Sequence, residues 1–297
     1  MKKHIPVLKT ESIEYLAVKK GGVYVDCTLG EGGHSLAIIE ELKQGKLIAL
    51  DIDDKHVGDF TKETQEVKNV RIYARNANFS NLERIIDETK VGKIDGILYD
   101  LGWSMDQLDR MEGLSYLNKD AELDMRLDMS YGVMAKDLLN GLGSRELEKL
   151  FTEYADIRGG NLKKLIESIK IERKRKLFSK VDDLNKLIDK TFRFDNTREK
   201  SKRMGLFSRV YQALRIAVNN EMYNLKLSFQ DLPKVLNDGG RVVIITFHSG
   251  EEAIVKDFFA RSQKFTEIAR EVRPTVEELL ENLSARSAKL FCYEYKA

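Results

Sequence analysis

Short apolar runs bounded by turn residues recur at 23–27, 46–50, 70–73, 94–99 and 241–246. A run that is apolar at consecutive positions reads as a strand buried on both faces, and helical periodicity between most of the runs supplies the covers. Such alternation leaves few solutions: an α/β fold whose mainly parallel sheet is clothed by helices on both faces. The aromatic and apolar stretch 288–295 is expected to add a further strand at the sheet edge. With 42 % hydrophobic residues over 297 positions, the chain can bury such a core and is not a disordered protein.

Between Asp106 and about Arg209 the strand pattern stops. Helices are expected at 145–154, 162–173 and 181–191, without the Gly/Ser/Pro bias of a linker. The reading is therefore a core of residues 1–105 and 210–297, interrupted by an inserted helical domain at 106–209. After it a long helix is expected over 211–229. Lys plus Arg (50) nearly balance Asp plus Glu (48), so whole-chain charge does not call for nucleic acid. The insertion is different, because Lys163, Lys164, Arg173, Lys174, Arg175, Lys176, Lys200, Lys202, Arg203 and Arg209 crowd into it, with Phe178, Phe192 and Phe194 interleaved. A solvated helical face would look similar; a phosphate-binding surface would use the same residues.

Cys27 and Cys292 have no second cysteine at metal-ligand spacing, which points to a reducing compartment and to no metal site. The first residues lack a signal peptide's apolar run, and no stretch reaches the roughly 20 apolar residues of a membrane span. A cytoplasmic protein without membrane contact is expected.

The run from Val23 to Ser35 reads as strand, glycine turn and helix start. Glycines there let a ligand approach the backbone, and the helix presents unpaired amides. The next strand ends in Asp51, where a carboxylate can accept hydrogen bonds from two ribose hydroxyls. The third glycine of the dinucleotide fingerprint falls on Ser35, which favours a nucleoside without phosphates over NAD. The plainer alternative is a tight loop with Asp51 as a solvated cap.

Beyond this point the motifs become specific. They are His4-Ile5-Pro6-Val7-Leu8 with Glu11, Asp26 through Ser35, Asp95 through Gly102, Gln107-Leu108-Asp109, Leu123 through Asp128, Gln212 through Asn219, Phe247-His248-Ser249 and Arg286 through Leu290. In collinear order they closely resemble the bacterial MraW/RsmH family, the 16S ribosomal RNA (cytosine-N4)-methyltransferases. The resemblance implies a Rossmann-like class I methyltransferase core, with the helical insertion helping to hold RNA. It implies S-adenosylmethionine as cofactor, contacted by Gly32, Gly33, His34, Asp51, Phe79, Asp100 and Gln107, and 16S rRNA or the small ribosomal subunit as partner. A second copy of the chain is a further candidate partner.

Asp100 follows the apolar run 94–99 and should sit at the carboxyl end of the sheet, where open α/β folds bind ligands. It is a candidate catalytic residue, accepting a hydrogen from the acceptor amine, as well as a cofactor contact. His248, ending the next core strand, is the second, as a base or an orienting group; a structural histidine is the alternative. Trp103 and Tyr99 flank Asp100 and could stack on an extruded base; Tyr99 reads equally well as a core residue, and Trp103 is the better stacking candidate. Arg126, Arg209 and Arg215 complete the expected substrate-binding set.

The chain departs from the family chiefly on the acceptor side. Trp103-Ser104-Met105-Asp106 stands for Val-Ser-Ser-Pro, Gly205-Leu206-Phe207-Ser208-Arg209 for His-Pro-Ala-Thr-Arg, and Gly250-Glu251-Glu252-Ala253 for Leu-Glu-Asp-Arg. A paralogue acting on another RNA base, or an assembly factor that binds RNA without turnover, would also fit that pattern.

Overall fold

The computed structural model describes residues 5–102, 105–194 and 199–297, with Met105 and Asp109 described at the backbone. The chain divides into a first unit, from its start to residue 103 together with Met222–Ala297, and a second, Ser104–Glu221.

The first unit is built on one sheet: β1 (Val23–Asp26), β2 (Gly45–Asp51), β3 (Val70–Asn76), β4 (Ile94–Asp100), β5 (Leu236–Thr246), β6 (Phe265–Val272) and β7 (Lys289–Tyr295), in the order β3-β2-β1-β4-β5-β7-β6. Successive strand residues point to opposite faces, and both faces are buried. Val25, Ile48, Leu50, Ile97, Tyr99, Val242 and Ile244 pack on one side with Ile85, Leu225, Phe229 and Phe259. Tyr24, Leu47, Ala49, Leu98, Val243 and Ile245 pack on the other with Leu16, Ile38 and Leu42. That double burial is why the runs read as continuously apolar.

The five expected strands are present and run parallel to one another. The carboxyl-terminal strand is not at the edge. β7 lies between β5 and β6 and runs antiparallel to both, and the edge strand is β6, which shows no clear apolar alternation (burial at Phe265 and Ala269 alone). Connections from β1 lead towards β2 and β3, and those from β4 towards β5, so the order reverses between β1 and β4. Open sheets bind ligands at the carboxyl ends beside such a reversal.

The second unit is helical, with Ser144–Ala155, Gly159–Arg175 and Val181–Phe192 at the expected places. Residue 209, the expected end of the insertion, falls inside the helix Lys200–Val218, which belongs whole to this unit. The long helix expected over 211–229 is broken: Lys200–Val218 ends, Asn220 takes a left-handed φ of 52°, and Glu221–Val235 begins. Asn tolerates that conformation better than other side-chain-bearing residues. Among the described residues no helix is long and apolar enough to cross a membrane.

Candidate active site

β1 delivers the chain into the turn Cys27–Gly32. Gly32 has φ 82°, and a side chain there would press on the Phe60 ring, its Cβ 2.6 Å from Cδ2. The helix Gly33–Leu42 starts next, with no side chain capping its amino end. A β-carbon on Gly33 would meet Pro6 Cγ at 2.1 Å, so the Ile5–Leu8 segment lies directly on the turn.

Asp26 closes β1 and is fully buried. Its carboxylate accepts a hydrogen bond from Ser35 Oγ at 2.7 Å and from the Thr28 amide at 3.1 Å. Thr28 Oγ1 in turn accepts from the Asp100 amide at 2.7 Å, so one small network joins the ends of β1 and β4 to the first turn of the helix. Ser35, where a dinucleotide fingerprint has glycine, ties helix to strand by a hydrogen bond in place of close backbone packing. Burial pushes the Asp26 carboxyl above its ordinary pKa, against the opposing influence of His34, Ser35 and Thr28.

His34 Nε2 stands 3.4 Å from Asp100 Oδ2, an ion-pair distance at the outer limit of hydrogen bonding. Burial alone would drive this imidazole's pKa down. Asp100, by proximity and charge, and Asp26, by charge, outweigh that and hold it above the ordinary value, although Lys9 opposes them. Asp100 Oδ1 is buried with no hydrogen-bond partner among the described residues.

Asp51 is 8 % exposed and is therefore not a solvated cap. It accepts from the Gly30 amide at 2.7 Å and the Asp53 amide at 2.8 Å, and His56 Nδ1 lies 3.4 Å from its Oδ2. Its Oδ1 keeps a second lone pair for a ribose hydroxyl. Phe79, half-buried just after β3, sets its ring edge-on to Tyr99, centroids 5.7 Å apart.

These features suit S-adenosylmethionine. The glycine turn gives room for a close-lying ligand, Asp51 would take the ribose, and the unpartnered Asp100 oxygen would accept from its ammonium. Apart from Gln107, which is buried on the Met105–Arg110 helix of the second unit, the expected cofactor residues all lie in the first unit, at or just after the carboxyl ends of β1, β2, β3 and β4.

Several residues expected on the acceptor side have local partners. His248 is the amino-terminal cap of the helix Ser249–Arg261: its Nδ1 accepts from the Gly250 and Glu251 amides at 3.2 and 3.4 Å, and Nε2 is 3.1 Å from Glu251 Oε1. Its proton-accepting nitrogen is thus committed to the helix, and Glu251, inside the altered run 250–253, completes the turn by accepting from the Phe247 amide at 2.7 Å. Tyr99 is fully buried, its hydroxyl 2.6 Å from Ser228 Oγ, and cannot stack on a base. Trp103 lies outside the described residues.

Arg126 is occupied locally, with Nε and Nη2 donating to both Asp124 oxygens at 2.7 and 2.9 Å and Nη1 to the Tyr131 carbonyl at 2.7 Å. Arg215 makes a two-pronged pair with Glu221, both contacts 2.9 Å, across the helix break. Arg209 is exposed and stays a candidate phosphate contact. Sequence reasoning gave no role to Asp26, Thr28 or Ser35, although all three stand in the recognised turn motif, and it passed over His56, which carries no local signal.

The sequence profile of the MraW methylase family matches residues 1–296. A Dictyoglomus thermophilum protein named ribosomal RNA small subunit methyltransferase H is 38 % identical over 291 residues, covering 97 % of this chain and 95 % of its own. A Caldicellulosiruptor saccharolyticus protein of the same name is 36 % identical, with 98 % of each chain covered. With the glycine turn, the strand-end acids and the sheet order all in agreement with that match, the chain belongs to the MraW methylase family.

Proposed function

We propose that this protein transfers a methyl group from S-adenosylmethionine to the exocyclic N4 amine of a cytosine in 16S rRNA, acting in the cytoplasm on the RNA or the small ribosomal subunit. The relatives' shared name supports the substrate class. The observation that carries the chemistry is Asp100, at the carboxyl end of β4 with one oxygen paired to His34 and the other buried without a partner among the described residues.

The cofactor, when bound, supplies an electrophilic methyl on a sulfonium. The protein's task is alignment for in-line displacement. Gly32, Gly33, Asp51 and Phe79 position the nucleoside, and the Asp26–Thr28 network holds Asp100 in place. Cytosine's amine is a weak nucleophile because its lone pair is delocalised into the ring. A carboxylate oxygen accepting one amine hydrogen favours the pyramidal, attacking form, and the Asp100 oxygen that accepts from the cofactor's ammonium keeps a second lone pair for that hydrogen.

RNA contacts fall to the second unit. Lys163, Lys164, Lys174, Arg175, Lys200 and Arg209 are exposed and have no carboxylate partner among the described residues. Others of the basic cluster are spent internally: Arg173 donates to the Leu139 and Leu142 carbonyls, Lys176 pairs with Asp183 and Arg203 with Asp189. Phe178 belongs to this unit's core, 2 % exposed.

Labelled methyl transfer to isolated small subunits, followed by mass mapping of nucleosides, tests the proposal. N4-methylcytidine is expected from the native chain, and Asp100→Ala should abolish transfer. Methylation of another base would replace the cytosine assignment with a paralogue's. Cofactor binding without transfer to any ribosomal substrate would refute catalysis.

A further inference from the structure

Two hydrogen bonds that span nearly the whole chain converge on the segment covering the glycine turn. Thr275 caps the short helix Val276–Glu281, its Oγ1 accepting from the Glu278 amide at 3.2 Å, and the Asn282 amide donates to the Glu278 carbonyl at 2.7 Å. This anchors two side chains. Glu278 Oε1 accepts from the Leu8 amide at 2.7 Å, across 270 residues of sequence, and Asn282 Nδ2 donates to the Ile5 carbonyl at 2.9 Å, across 277.

Between those grips lies Pro6, the residue in contact with Gly33. Val7 and Leu8 are 3 % and 0 % exposed, and Leu8 adopts a left-handed φ of 51°. A leucine in that conformation is strained and persists only where its surroundings over-determine it. Glu278 is part of that surrounding. Burial, helped by the charge of Glu11, holds the Glu278 carboxyl above its ordinary pKa, against the lowering by the Leu8 amide and by His34, so the clasp and the cofactor turn share one electrostatic neighbourhood.

We propose that Glu278 and Asn282 are positioning residues for S-adenosylmethionine, clasping Ile5–Leu8 against Gly33 and so setting how firmly the glycine turn retains the cofactor. This rests on the cofactor occupying that turn. Neither side chain needs to touch the ligand. They act by keeping a wall of its pocket preorganised, so that binding does not have to order that wall.

The test is titration calorimetry with S-adenosylhomocysteine on the full chain, with hydrogen exchange read at residues 5–8. Glu278→Ala should weaken binding by roughly 10-fold through loss of preorganisation, speed exchange at Leu8, and raise KM for S-adenosylmethionine more than it lowers kcat. Glu278→Gln keeps an acceptor for the Leu8 amide and should restore affinity to within about two-fold of the native chain. Asn282→Asp, at a partly exposed position, removes the second grip and should weaken binding in the same direction, which keeps the test open if Glu278→Ala does not fold. Native-like affinity in both Glu278→Ala and Asn282→Asp, or a Glu278→Gln variant as weak as Glu278→Ala, would overturn the clasp. If the native chain itself fails to bind S-adenosylhomocysteine, the cofactor reading falls and the clasp with it; native binding with unaffected variants removes the clasp alone.

Discussion

Gly33→Ala places a methyl 2.1 Å from Pro6 Cγ, 3.1 Å from Cδ and 3.3 Å from Cβ. Carbon atoms pack best about 3.5–4.0 Å apart, so roughly 1.5 Å of movement is required. Neither side yields easily. The proline ring is rigid, its segment is gripped at Ile5 and Leu8, and Gly33 opens a helix whose next residues, His34 and Ser35, are buried. Overpacking of this kind costs about 1–3 kcal/mol, which for a unit of this size lowers Tm by about 2–12 °C. Pro6→Ala removes the offending ring carbons and by itself costs about 0.4–1 kcal/mol through the unfolded chain. The double variant should therefore recover at least about 1 kcal/mol relative to the sum of the singles. Thermal and urea unfolding of the two singles and the double give the cycle directly. Additive effects, or a Gly33→Ala protein with unchanged Tm, would show that Pro6 does not bear on the turn and would refute the reasoning.

Stability should fall as pH rises from about 6.5, since the raised pKa of His34 contributes stability fully present below the unfolded value and lost as pH passes the folded one. Tm measured from pH 6 to 9 should show this fall, shallower in His34→Gln, and an identical slope in the variant would count against the ion pair. Asn219, 2 % exposed, accepts from the Leu127 amide at 2.8 Å and donates to the Met125 carbonyl at 2.9 Å. Asn219→Ala should cost about 2–3 kcal/mol by leaving those groups unsatisfied, measurable by urea unfolding, whereas a loss under about 0.5 kcal/mol would deny Asn219 that role. Replacing Lys163, Lys164, Lys174 and Arg175 together by Gln should flatten the salt dependence of RNA binding, by about 0.7 in slope for each phosphate that is no longer neutralised. An unchanged slope would place the RNA elsewhere.

Local chemistry made much of the site legible. A glycine turn after an apolar run, and acids ending two further runs, name Gly32, Gly33, Asp51 and Asp100 without tertiary information, because a strand that is buried on both faces and ends in a charge leaves that charge at the sheet's rim. Three of the expected acceptor-side residues share one feature. His248, Arg126 and Arg215 carry chemistry that suits catalysis or phosphate, and each also holds a helix cap, a loop or a helix break through a partner within six residues, at Gly250, Asp124 and Glu221 respectively. Residue type reveals what a side chain can do, and only its neighbours decide which of those uses is taken.

What the sequence determined alone was therefore the period of burial: five strands apolar on both faces, helices to cover them, and a largely helical interruption. Tertiary structure decided the rest. It set β7 between β5 and β6, since pairing partners are not encoded in a strand's own pattern. It also brought Glu278 to Leu8 and His34 to the carboxylates of Asp26 and Asp100. Hydrogen bonds and charges act over a few ångströms of space, and the chain must fold before residues 270 positions apart come within that reach.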